Sequence, residues 1–227
     1  MGSRPVAAPP PVPTWSPTST TTARWTDLDG DGLADLLVHR LHNTGRLSST
    51  ESEVLYFRGR GVDGLAPPQR IRSKAGAQDL FPVDVDADGD LDVLVPRLKL
   101  DVGNLAQAVV AQSVDIELVV LPMDDHQLGE PVQLRQVSLP VDGSKAAWSM
   151  CEDLTGDGLT DLAAVVVDGE LSVTAGHGVT IDRPPLYEVS LGVQADNLWA
   201  VQLTGGGDLV AWSKGEQSLA IVHLPPP

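Results

Sequence analysis

The chain is poor in the features that define several common protein classes. It has one cysteine, Cys151, so no disulfide can form within it and a disulfide-held scaffold is excluded. No apolar run approaches the roughly 20 residues that cross a bilayer. The longest run beside a motif, Ala163 to Val167, has the length of a core strand. Met1-Gly2-Ser3-Arg4-Pro5 is not followed by the apolar stretch of a secretory signal. Positive charge is scarce, with 15 Lys+Arg against 31 Asp+Glu and a net charge of −16. Such a surface repels nucleic-acid backbones and anionic lipid headgroups, which excludes those partners. Catalytic signatures are also missing. No HExxH, GxSxG or paired Cys/His motif accompanies His39, His42, His126, His177 or His223, so an enzyme is not the expected class. These histidines are expected to be exposed or loosely packed.

Apolar residues, at 42%, are sufficient for a core, and the 22 glycines and 18 prolines imply frequent turns and no long helices. The acids are clustered: 12 of the 31 fall in three nine-residue segments. These are Asp27-Leu28-Asp29-Gly30-Asp31-Gly32-Leu33-Ala34-Asp35, Asp84-Val85-Asp86-Ala87-Asp88-Gly89-Asp90-Leu91-Asp92 and Asp153-Leu154-Thr155-Gly156-Asp157-Gly158-Leu159-Thr160-Asp161. All read D-x-[DT]-x-D-G-x-x-D, and an apolar run follows each one.

The pattern suits a hard divalent cation. Oxygens at positions 1, 3 and 5 of a tight loop can converge on one point, and glycine at position 6 permits the reversal. The carbonyl of position 7 and the carboxylate of position 9 can then close the cage. Six or more oxygen ligands favour Ca²⁺ over Mg²⁺, and the lack of Cys or His in any loop disfavours softer metals. Without a cation, two carboxylates about 5 Å apart repel by roughly 3 kcal/mol at an effective dielectric near 20. Three Ca²⁺ sites are therefore expected, the third weaker because Thr155 replaces a carboxylate. EF-hands are excluded, since position 12 holds Val38, Val95 or Ala164 in place of the bidentate Glu.

The first loop starts 57 residues before the second and the second 69 before the third. Alternating apolar strands fill the intervals, a spacing that suggests propeller blades. A fourth unit follows at Trp199 to Val210, where glycines replace the acids and only Asp208 remains. The expected fold is all-β: a β-propeller of four blades, or part of a larger ring, with calcium loops between the first and second strands of blades 1–3. The blades would occupy about 23–75, 76–140, 145–192 and 196–224. Residues 1–22 form a Pro/Ser/Thr-rich lead-in whose Val12-Pro13-Thr14-Trp15 could supply a closing strand. A segment over 99–113 reads as an insertion. Trp25, Phe81, Trp148 and Trp199 precede the loops, and packing between neighbouring blades is expected of them more than ligand stacking.

The stretch from Asp27 to Val38 resembles the calcium loop of FG-GAP and VCBS repeats, as in integrin α-subunit propellers. Val54-Leu55-Tyr56-Phe57 with Ala66-Pro67-Pro68-Gln69 is similar to the outer half of such a repeat. The likeness is drawn over about residues 23–224. The Phe-Gly and Gly-Ala-Pro signatures are absent, which favours the VCBS-like version. The resemblance implies one ion held by Asp27, Asp29, Asp31, Leu33 (by carbonyl) and Asp35. It implies a second held by Asp84, Asp86, Asp88, Asp90 (by carbonyl) and Asp92. A third would be held by Asp153, Thr155, Asp157, Leu159 (by carbonyl) and Asp161. The expected function is a calcium-binding propeller acting outside the cell or at its surface as a structural module or as a binding module for a protein or glycan. The alternatives are a propeller of a polysaccharide-degrading enzyme and a fragment of a larger toxin or adhesin. A closed ring implies a monomer, and an open one implies self-association.

Overall fold

The computed structural model describes residues 20–43, 50–77, 79–98, 113–140, 147–151, 153–166, 169–178, 185–192, 197–201, 208–213 and 219–224. All the sheets are antiparallel. The first contains β1 (Thr20–Thr26), β2 (Asp35–Asn43), β3 (Thr50–Phe57) and β4 (Gln69–Ser73), in that spatial order. The second is built on β7 (Asp92–Leu98), β8 (Ser113–Leu121) and β11 (Val132–Pro140), with the short β5 (Gly76–Ala77) and β6 (Phe81–Val83) both pairing β7. Beside it, β9 (Met123–Asp124) and β10 (Gln127–Leu128) form a two-stranded hairpin. The third sheet contains β12 (Ala147–Cys151), β13 (Asp161–Val166), β14 (Glu170–Thr174) and β15 (Tyr187–Ser190). The fourth contains β16 (Asn197–Val201), β17 (Asp208–Trp212) and β18 (Leu219–His223). Among the described residues no helix is long and apolar enough to cross a membrane.

Alternation within each strand sorts its side chains to two faces, and those faces join the sheets in series. Leu37, Val54 and Tyr56 of the first sheet pack with Val93, Val95 and Leu121 of the second. Leu94, Leu118 and Val120, on the opposite face of the second sheet, share a cluster with Leu162 of the third. Ala163, Val165 and Leu171 of the third meet Leu209 and Ala211 of the fourth.

The expected β-propeller is not what these strands form. They make five separate open sheets, counting the hairpin, and none closes on itself. Among the described residues the three apolar clusters link neighbours along a row, and none returns from the fourth sheet to the first. Strand pairing is local and follows from alternation and turn spacing. Ring closure needs a further face-to-face contact between the ends of the row, which periodicity does not encode. The closing strand expected at Val12–Trp15 and residues 99–112 of the insertion read over 99–113 lie outside the described residues. Trp25, expected between sheets, is 63% exposed.

Candidate metal centre

Each acidic loop joins two paired strands: β1 to β2, β6 to β7 and β12 to β13. The same contacts shape all three. The position-1 carboxylate accepts the amide of position 6, from Gly32 to Asp27 at 2.8 Å, Gly89 to Asp84 at 3.2 Å and Gly158 to Asp153 at 2.8 Å. The position-5 carboxylate accepts the amide of position 7, from Leu33 to Asp31, Asp90 to Asp88 and Leu159 to Asp157, at 2.8–2.9 Å. Gly32, Gly89 and Gly158 have φ of 80°, 97° and 87°, the left-handed region that glycine reaches without penalty.

Position 9 does structural work. Asp35, Asp92 and Asp161 are buried. One oxygen of each accepts the position-2 amide, from Leu28 at 2.9 Å, Val85 at 3.0 Å and Leu154 at 2.7 Å. The other accepts an amide just past the far end of the next long strand, from Gly59 at 2.6 Å, Met123 at 2.7 Å and Gly176 at 3.0 Å. Each carboxylate thus ties the loop entrance to the sheet beyond it.

Two of the three loops gather carboxylates. Oxygens of Asp27, Asp29 and Asp35 lie within 4.8 Å of one another, as do those of Asp84, Asp86 and Asp88. Buried oxygens in both groups lack a hydrogen-bond donor: Oδ1 of Asp27, and Oδ1 of Asp84 and Asp86. A buried carboxylate oxygen without a donor is costly, and a hard cation is the chemistry that relieves several at once. The donor set therefore fits a divalent cation at these two loops.

Burial and neighbouring carboxylates push three acids of the second loop upward. Burial takes Asp92 to about 6. Asp86 and Asp90 also rise, from burial first and then from Asp88. Burial likewise raises Asp161. Asp31 is lowered, chiefly by the Leu33 amide and then by Arg58.

The remaining expected ligands are placed differently. Asp31 is outside the first trio, and its Oδ2 pairs with Arg58 at 3.0 Å. Asp92 is outside the second trio. Asp90 lies at position 7 and its carboxylate borders the first loop, since a Cβ on Gly30 would stand 2.9 Å from its Oδ1. Leu33 and Leu159 occupy position 7 of their loops. The third loop forms no trio: Asp153 accepts three amides, from Gly156, Asp157 and Gly158, and Thr155 donates its amide to Asp161 at 2.8 Å. The loop's own backbone thus satisfies what a cation serves in the other two.

Two basic partners of the first loop lie far from it in sequence. Arg58, just beyond β3, contacts Asp29 through Nε at 2.6 Å. His126 reaches the same Oδ2 from the β9–β10 turn, with Nδ1 at 2.9 Å. That turn has positive φ at both Asp125 and His126, the backbone of a tight two-residue hairpin. Gln69 holds the hairpin against β4 by exchanging two hydrogen bonds with the Leu128 backbone. An acidic residue followed by histidine is a weak turn signal, and the contact spans distant parts of the chain. The histidines are not uniformly loose either, because His39 is buried.

The loops also touch one another. Leu91 donates its amide to the Leu28 carbonyl at 2.7 Å, and the Thr160 hydroxyl donates to the Asp84 carbonyl. All three acidic loops therefore adjoin along one border of the row.

A family model described as an FG-GAP-like repeat matches residues 27–95. The match takes in the first two loops and the strands between them. No curated protein matches the chain. The likeness drawn over residues 23–224 is thus confined to its first part, where the matching model is described as FG-GAP-like. Its extension to an integrin-like propeller is overturned by the open sheets, and the propeller-based function falls with it. The chain is an all-β protein with acidic clusters able to hold a divalent cation.

Proposed function

We propose that loops 27–35 and 84–92 each bind one Ca²⁺, that loop 153–161 binds a third more weakly, and that the ions stabilise the adjoining loop border of an all-β extracellular domain. The observation that carries this reading is the convergence of three carboxylates in each of the first two loops, with buried donor-free oxygens at Asp27, Asp84 and Asp86. At the first site Asp27, Asp29 and Asp35 are the central ligands, Arg58 offsets part of their charge from the outer side, and His126 contacts Asp29 beside it. At the second, no basic side chain among the described residues contacts Asp84, Asp86 or Asp88, so this loop depends more on the ion. Calcium sites of extracellular modules bind at about 10⁻⁴–10⁻³ M, which fills them outside cells and leaves them empty in cytosol. The charge of −16 leaves a protein or a neutral glycan as the partner class.

Isothermal titration of Ca²⁺ into chelator-treated protein tests the proposal. Two comparable sites and a weaker third are expected, with Mg²⁺ binding more weakly at each. Absence of heat, with no change in thermal unfolding on adding calcium, would refute it.

A further inference from the structure

The sheets repeat one packing arrangement, and the two ends of the row carry its unmatched halves. The repeat can be read from the aspartate that opens the second strand of each sheet: Asp35, Asp92, Asp161 and Asp208 pair with Thr26, Val83, Cys151 and Val201. The residues one and three places later face the preceding sheet. Val93 and Val95 pack on the first sheet, Leu162 on the second, and Leu209 and Ala211 on the third. The residues two places later face the following sheet: Leu37 packs toward the second, Leu94 toward the third and Ala163 toward the fourth.

The first sheet has no preceding neighbour in these clusters, yet Leu36 and Val38 occupy the same places as Val93 and Val95. Register puts Trp25 and Phe57 on either side of Leu36 on this face. Trp25 is 63% exposed. The fourth sheet has no following neighbour in these clusters, yet Val210 occupies the place of Leu37, Leu94 and Ala163. Ile221 lies opposite Val210, and Leu219 lies opposite Trp212 on the same face. Leu219 and Ile221 are 57% and 47% exposed. Apolar side chains at interface positions, exposed together, mark a contact surface.

We propose that copies of this chain associate head to tail, the free face of the fourth sheet of one packing on the free face of the first sheet of another. The occupant is a second copy because each end face has the residue pattern that already packs against the other's equivalent three times within the row. Charge favours the same polarity. Buried Glu53, on the first sheet's free face, gathers Arg40, Arg70 and Arg72, which concentrates positive charge at that end of a chain whose net charge is −16. Two such ends repel each other, which disfavours a contact between like faces. A contact between unlike faces continues into longer assemblies unless its geometry closes.

Sedimentation of the full chain in saturating calcium, with Trp25→Asp and Ile221→Asp variants, tests this. Both substitutions fall on exposed side chains, and circular dichroism checks that the sheets persist. Wild type is expected to gain mass with concentration over about a hundredfold range. Each variant alone is expected to stay monomeric. Their equimolar mixture should form a dimer and stop, because each lacks only one of the two faces. A monomeric wild type throughout that range overturns the proposal. So does association of either variant alone, or a mixture that stays monomeric while wild type associates. None of these outcomes depends on the stoichiometry of calcium binding.

Discussion

Substituting Asp86 by asparagine should invert the order of stability between calcium and chelator. Asp86 Oδ1 is buried without a donor, and its trio with Asp84 and Asp88 lies within 4.8 Å. At that spacing each carboxylate pair repels by roughly 3 kcal/mol at an effective dielectric near 20. Asparagine keeps the shape and removes two of the three pairs. Asp88 is exposed and solvent screens its share, so the net relief in chelator is on the order of 1–3 kcal/mol. One kcal/mol moves the melting temperature of a chain this size by about 2–4 °C, so the variant should melt several degrees above wild type without calcium. Calcium reverses the ranking. At about 10 mM, a site with Kd of 10⁻⁴–10⁻³ M adds roughly 1.4–2.7 kcal/mol to wild type. The variant forfeits most of that at the second loop. Calorimetric melts of both proteins, in EDTA and in calcium, read the crossing directly. If Asp86→Asn melts lower than wild type by the same amount in both buffers, the side chain is a packing or hydrogen-bonding element and the reasoning fails.

Asp161→Asn should behave in the opposite manner. Its carboxylate accepts amides from Leu154, Thr155 and Gly176, and an asparagine NH₂ group would face donors there. A loss of about 2–4 kcal/mol is expected from denaturant midpoints, equal with and without chelator. A loss that disappears in EDTA would assign Asp161 to the ion instead. The pH profile should carry a mark of His39, whose pKa burial lowers, with Asp79 opposing and His42 assisting. The unfolded chain takes up this proton first, so stability is complete above the unfolded value of about 6.5 and declines as pH falls below it, until the buried ring itself protonates. His39→Leu should flatten that part of the curve, and superimposable slopes for the two proteins between pH 7 and 5.5 would exclude the effect.

Much of the local structure was legible. The apolar runs that follow Asp35 and Asp208 form the strands Asp35–Asn43 and Asp208–Trp212. The acidic loops fall between paired strands because D-x-D-x-D-G fixes both turn chemistry and strand entry. The double role of position 9 was half visible: its charge suggested a ligand, but its bonds to Gly59, Met123 and Gly176 depend on strand pairing that comes after the motif. Asp29's contacts with Arg58 and His126 were not legible, since they depend on how β3 and the β9–β10 hairpin approach the first loop. The open row was not legible either. Strands announce themselves by period, whereas whether the two end faces meet depends on sheet angles that single residues do not report. Side chains at Trp148 and Trp199, and the acid-poor loop at 202–207, fall outside the described residues.

The buried aspartate that opens β17 separates two roles that the motif combines. Asp208 is 1% exposed and starts a paired strand as Asp35, Asp92 and Asp161 do, although glycines have replaced the acids before it. His223 Nδ1 contacts it at 2.5 Å. The pairing of β17 with both its neighbours holds without the acidic loop, so a unit can give up its ligands one substitution at a time while its strands stay paired. Calcium dependence in such a chain is then adjustable loop by loop, and the number of ions need not equal the number of sheets.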